Sequence, residues 1–186
     1  MPFDIASRQI LGTRSHQEDD FAVAEFDGGA LLILADGMGG HAGGDVAASL
    51  AVERFGAAFR QADSQNVAVR LERGLDTANA AIADRIAEDL NLEGMGCTVV
   101  GVWMVADQLG FISVGDSPLW CLRASGFDRL NEDHSMAGLM EEAGDDLSDP
   151  ASRLAYTKAR NMLRSSVQGE AIDLVDRRDR IAMAAG

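Results

Sequence analysis

The stretch Leu31-Leu32-Ile33-Leu34-Ala35-Asp36-Gly37-Met38-Gly39-Gly40-His41-Ala42-Gly43-Gly44 decides how this chain is read. Five apolar residues in a row describe a buried strand. The Asp36 carboxylate leaves the end of that strand, where a rigid backbone would hold it as a metal ligand. Five glycines among the next eight residues let the backbone approach an ion or a phosphate closely. Hard cations such as Mg²⁺ accept carboxylate and backbone carbonyl oxygens alike. A glycine-rich turn entering a helix would explain the glycines, but not an aspartate at the end of an apolar strand.

Just upstream lies Gly12-Thr13-Arg14-Ser15-His16-Gln17-Glu18-Asp19-Asp20, which sets one arginine beside three consecutive carboxylates. An arginine fork matches phosphate oxygens in a way that lysine does not. Adjacent carboxylates repel one another unless they are exposed or bound to a cation. Taken alone, this segment reads as a solvated acidic turn; beside the Asp36 stretch it reads as a second part of a metal site.

Working outward, short β-branched runs predict strands over 4–11, 21–26, 30–35, 98–105, 109–114, 119–123 and 127–130. Asp27-Gly28-Gly29, Ala106-Asp107 and Ser125-Gly126 supply the turns. Connections this short favour antiparallel hairpins, since a parallel crossover takes about a dozen residues. Residues 44–61 put Val46, Leu50, Phe55 and Phe59 on one helical face, and 67–90 do the same with Leu71, Leu75, Ala78, Ile82 and Ile86. A third helical region over 135–164 is interrupted at Gly144-Asp145-Asp146 and Asp149-Pro150, and a last strand is expected over 172–182. Strands, two helices, strands and more helices, in that order, suit an α+β fold of two antiparallel sheets with helices outside them.

The chain has 186 residues, 47% hydrophobic and 25% charged, the size and balance of a single domain. No apolar run reaches the ~18 residues of a membrane span, and residues 1–20 lack a signal-peptide core. A soluble, cytoplasmic protein is expected. The formal charge of −14 argues against unaided binding to nucleic acid or an anionic membrane. An anionic substrate would be repelled too, unless bound divalent cations dominate the local field. Cys97 and Cys121 form no CxxC pair and read as buried small apolar residues of a reducing compartment.

With these motifs in place, the sequence resembles the metal-dependent protein phosphatase family of the protein phosphatase 2C type, in its bacterial branch. Gly12, Arg14, Glu18 and Asp19 match a family motif with a lead-in one residue shorter. Ala35 to His41 match A-D-G-M-G-G-H without change. Gly96-Cys97-Thr98 approximates G-[ST]-T, Val114-Gly115-Asp116-Ser117 matches V-G-D-S, and Asp133-His134-Ser135 matches D-H-S. Five motifs in order are specific where any one would be weak.

The resemblance implies a four-layer α-β-β-α sandwich, with residues 1–186 forming one domain that lacks the family's C-terminal strands. It implies hydrolysis of phosphoserine and phosphothreonine in proteins, with two Mn²⁺ or Mg²⁺ ions and a third near Asp116. Asp36 would bridge two ions, Gly37 would offer its carbonyl, and Glu18 would bind the second ion. Asp19 would orient metal-bound waters, and Arg14 would hold the substrate phosphate. Paired ions would lower the pKa of a shared water so that hydroxide forms near neutral pH and attacks phosphorus in line. His134 reads as a structural, hydrogen-bonded histidine. The expected partners are phosphorylated proteins, the products of a Ser/Thr kinase in signal transduction, and the expected state is a monomer.

Three departures stand out. Pro118 follows Gly-Asp-Ser where many relatives carry arginine, which suggests an edge position. Met38 replaces a histidine that serves some animal relatives as general acid, and His41 is a nearby candidate for that role. The family's later S-D-G and D-N aspartates have no counterpart before Ala184-Ala185-Gly186. A catalytically impaired phosphatase-like binding module is therefore the alternative reading. Over 136–155 the resemblance implies a flap at the substrate entrance, whose Glu141, Glu142, Asp145, Asp146 and Asp149 suggest basic segments beside the phosphosite.

Overall fold

Asp27 and Gly28 both take positive φ, 52° and 73°, as the primed two-residue hairpin turns require. They join β1 (Asp19–Phe26) to β2 (Gly29–Met38), and Ala106-Asp107 likewise joins β4 (Val99–Val105) to β5 (Gln108–Val114). The computed structural model describes residues 3–38 and 43–183. Between the two hairpins come α1 (Gly44–Gln61), α2 (Val67–Glu88) and the two-residue strand β3 (Gly96–Cys97). After them follow β6 (Trp120–Arg123), β7 (Gly126–Arg129), α3 (Met136–Ala143), α4 (Pro150–Ala159) and β8 (Asp176–Ala182).

Two antiparallel sheets result. The larger runs β1-β2-β4-β5-β8 with β3 paired to the end of β2, and the smaller is the β6–β7 hairpin. One face of the large sheet is covered by α1 and α2, whose Phe55, Phe59, Leu71 and Ile82 pack with Leu31, Ile33, Trp103 and Ile112. Its other face sends Val100, Val102, Leu109 and Phe111 against Cys121 and Leu130 at the small hairpin. The α3–α4 pair is built from local signals: Ser135 and Asp149 cap the two N-termini, and Gly144 closes α3 at φ 72°.

The apolar periodicity located α1 to the residue, and α2 stops two residues short of the expected 90. Asp89 leaves the helix there at φ −144°, and its carboxylate caps the turn at Asn91. The strand expected over 4–11 does not form. Among the described residues no strand pairs with this segment to receive its backbone hydrogen bonds, and Ile10 is 70% exposed. The last strand begins at Asp176 rather than 172, because the Ser165 hydroxyl takes up both the Leu174 N–H and the Leu174 carbonyl. Pro118 lies in the loop before β6, not in an edge strand. Among the described residues no helix is long and apolar enough to cross a membrane.

Candidate metal centre

The strand holding Asp36 runs on through Met38, past the point where its apolar run ends. Asp19 and Asp20 extend β1 backwards to meet it, and β3 gives Gly37 and Met38 a second neighbour. Asp36 thus lies directly opposite Asp19 in the ladder, a spacing at which facing side chains interact. Its N–H donates to Thr98 Oγ1 at 3.1 Å, and its carbonyl accepts from the Thr98 N–H at 2.9 Å. Gly37 donates its N–H to the Glu18 carbonyl at 3.1 Å. A Cβ on Gly37 would run into the Glu18 and Gly44 backbones, so the close approach of these segments demands glycine.

Burial and the neighbouring charges of Asp19 and Asp116 push the Asp36 carboxyl up to about 6, against some relief from Arg14. Cys97, next door, is pushed up to about 12 by burial and by Asp36, so its thiol is no nucleophile at neutral pH.

Asp116 is positioned by an inner network. Gly115 turns at φ 100°, where a Cβ would press on Thr98, and donates its N–H to His134 Nδ1 at 3.2 Å. The His134 N–H returns to the Gly115 carbonyl at 3.2 Å. The ring is buried, which holds its pKa below the ordinary range; it braces the loop and does not line the cavity. Ser117 Oγ meets Thr98 Oγ1 at 2.7 Å, and Asn131 bonds Ser113 Oγ and the Ser117 carbonyl. Arg129 reaches the Asp116 carbonyl at 3.2 Å and Asp133 Oδ2 at 2.9 Å. Burial and then Asp133 raise the Asp116 pKa, with Arg129 and Arg160 opposing.

A cavity of about 670 Å³ gathers Arg14, Glu18, Asp36, Gly37 and Asp116 in its lining. Four of these five come from two sequence motifs, and the fifth arrives on the β5–β6 connection. The donors are all oxygens, four carboxylates counting Asp19 and the Gly37 carbonyl, which is the set a hard divalent cation takes. A cation is also the charge that would offset the repulsion raising Asp36. The set is not closed: among the described residues no three His, Cys, Asp or Glu side chains converge as a ready site. Glu18 instead pairs with Arg14 at 3.2 Å and with His16 at 3.8 Å.

Sequence reasoning did not find the rest of the lining. Arg160, Arg164 and Asp173 line the cavity, though nothing in their local sequence marks them. Thr98 was visible only as part of a motif. The five flap acids do not line the cavity; Asp149 caps α4 and Asp146 holds Ser148. His41 lies outside the described residues, as do Gly39, Gly40 and the three C-terminal residues.

Residues 10–148 match the sequence pattern of the family described as Protein phosphatase 2C. The chain is 30% identical over 140 residues to the serine/threonine protein phosphatase PstP of Mycobacterium tuberculosis, covering 75% of this chain and 26% of that protein. With the serine/threonine phosphatase stp of Listeria welshimeri the identity is 32% over 137 residues, covering 71% and 54%. The structure matches the catalytic domain of PstP in complex with two manganese ions at TM-score 0.74 and 26% identity, covering 94% of this chain and 69% of that one. The chain therefore spans about half or less of the length of these two curated relatives. It belongs to the protein phosphatase 2C family and stands with its bacterial members.

Proposed function

We propose that this chain, within its full-length protein, hydrolyses phosphoserine and phosphothreonine in proteins, using Mn²⁺ or Mg²⁺ held around Asp36. The observation that carries this reading is the Asp36–Asp19 pair on β2 and β1, beside an open cavity that also holds Arg14. The manganese-bound PstP relative supports the choice of metal.

Asp36, Glu18 and the Gly37 carbonyl would hold two ions and Asp116 a third, within one domain spanning 1–186. When bound, such ions supply an acidified water and offset charge on the phosphoryl oxygens. Asp19, facing Asp36 across the ladder, would orient water at the site and accept protons from it. Arg14 now pairs with Glu18; Glu18 turning to a cation leaves the guanidinium free to grip two phosphoryl oxygens. Thr98 and His134 keep the Asp36 and Asp116 backbones in place. With no reactive thiol at the cavity, no cysteinyl-phosphate step is needed. On this reading the protein is a monomeric, cytoplasmic signalling enzyme that reverses a Ser/Thr kinase.

The test is turnover of an aryl phosphate and a phosphothreonine peptide by the full-length protein. Activity should need Mn²⁺ or Mg²⁺ and vanish in EDTA; full activity in chelator contradicts the proposal. The incompletely converged carboxylates favour one second reading, a phosphopeptide-binding module without turnover. Its signature would be peptide binding in Mn²⁺ with no phosphate released.

A further inference from the structure

The cavity lining holds two arginines that this proposal leaves without a role. Arg160 follows the last turn of α4, where its N–H donates to the Tyr156 carbonyl at 3.0 Å. Arg164 is pinned by its backbone, whose N–H donates to the His134 carbonyl at 2.7 Å beside the Ser135–Leu163 bridge. Both line the same cavity as Arg14, Glu18, Asp36 and Asp116. Arg160 makes no ion pair among the described residues, and its charge is felt at Asp116. Arg164 has only a long contact, 4.0 Å, to the exposed Glu142. In a chain of net charge −14, two weakly paired arginines in one cavity lining, with Asp173 the one carboxylate on their stretch of it, suit an anionic ligand.

The phosphate being removed does not exhaust that demand. With Asp36, Glu18 and Asp116 engaged by cations, three arginines remain on the rim, and a phosphate monoester brings about two negative charges. Arg14 stands on the carboxylate side and is the one suited to that phosphate. Arg160 and Arg164 come from a separate segment of the lining, beyond the metal motifs, and are left for the residues that flank the phosphosite.

We infer that Arg160 and Arg164 select substrates with a second negative charge, an acidic side chain or another phosphate, next to the phosphoresidue. This rests on the phosphatase reading and reverses the preference that the flap acids suggested. Those acids are not among the residues lining the cavity, whereas the arginines are. Charge recognition at a partly exposed rim adds specificity, and salt screens it.

The experiment compares kcat/KM of the Mn²⁺-loaded full-length protein on three phosphothreonine peptides whose flanking residues are Asp, Ala or Lys. The Asp peptide should be favoured over the Lys peptide by about tenfold or more at low salt, with the gap shrinking as salt rises. In Arg160→Glu/Arg164→Glu the order should reverse, and Arg160→Lys/Arg164→Lys should keep it. Melting temperatures of all variants establish that each is folded. Equal efficiency on the three peptides, or a preference unmoved by the Glu pair, overturns the role of the arginines while leaving the phosphatase reading intact. No turnover of any peptide by the wild type overturns both.

Discussion

Asp36 meets Asp19 across the ladder and feels the charge of Asp116, another residue lining the cavity, and only Arg14 opposes them. It titrates at about 6 in the fold against an ordinary value of 3.8. The folded chain thus holds this proton more tightly than the unfolded chain. Asp36 favours the fold most below about pH 4, and that advantage is lost as pH rises through about 6. In chelator, the difference in Tm between wild type and Asp36→Asn should therefore shift in favour of the variant between those limits. A constant difference across that range would show that Asp36 does not feel its neighbours. Arg14 makes a separate prediction. Arg14→Ala should raise KM for a phosphopeptide by roughly tenfold to a hundredfold, the worth of a charge-assisted contact. Mn²⁺ affinity should change little, as titration of the metal-induced Tm shift would show; unchanged kinetics would make Arg14 an ordinary surface residue. Both residues were legible in the sequence because each stands in a dense local motif. Arg160 and Arg164 were not, because they stand in no such motif, and only the fold brings their segment to a cavity that the Arg14, Asp36 and Asp116 motifs also line.

At the level of elements, what the sequence disclosed depended on how local the signal was. The α1 span follows from its own apolar spacing, and the β1–β2 turn from Asp27-Gly28. The 4–11 segment has the composition of a strand but no neighbour, and its pattern could not announce that. The extension of β2 through Gly37 and Met38 was hidden for the opposite reason. Its glycines read as punctuation, while β3 supplies a partner from about sixty residues away. The packing of α2 yields a prediction of its own. On an exposed helix Gly74→Ala should gain about 1 kcal/mol. Here a Cβ would stand 2.9 Å from Phe55 Cδ1, and the far side of that ring abuts Gly101. Gly74→Ala should instead destabilise the fold by about 1–3 kcal/mol, read from chemical denaturation. A stabilised variant would show that the ring yields.

The whole molecule carries a net charge of −14, yet one cavity collects arginines from both ends of the chain. The net charge was plain in the composition; its arrangement was not, since Arg14 lies far in sequence from Arg160 and Arg164. The central claim is that the carboxylates of this cavity form a divalent-cation site with Asp36 at its heart. Replacing Asp36 by Asn nearly preserves shape and removes one like charge, so the apoprotein should melt at the wild-type temperature or higher. Adding Mn²⁺ should raise the wild-type Tm in proportion to the logarithm of its concentration over its Kd. The account predicts that Asp36→Asn loses most of that rise. A Tm shift retained in Asp36→Asn would contradict it, and Asp36 would then be a capping residue in a glycine-rich turn, a place where asparagine serves as well as aspartate.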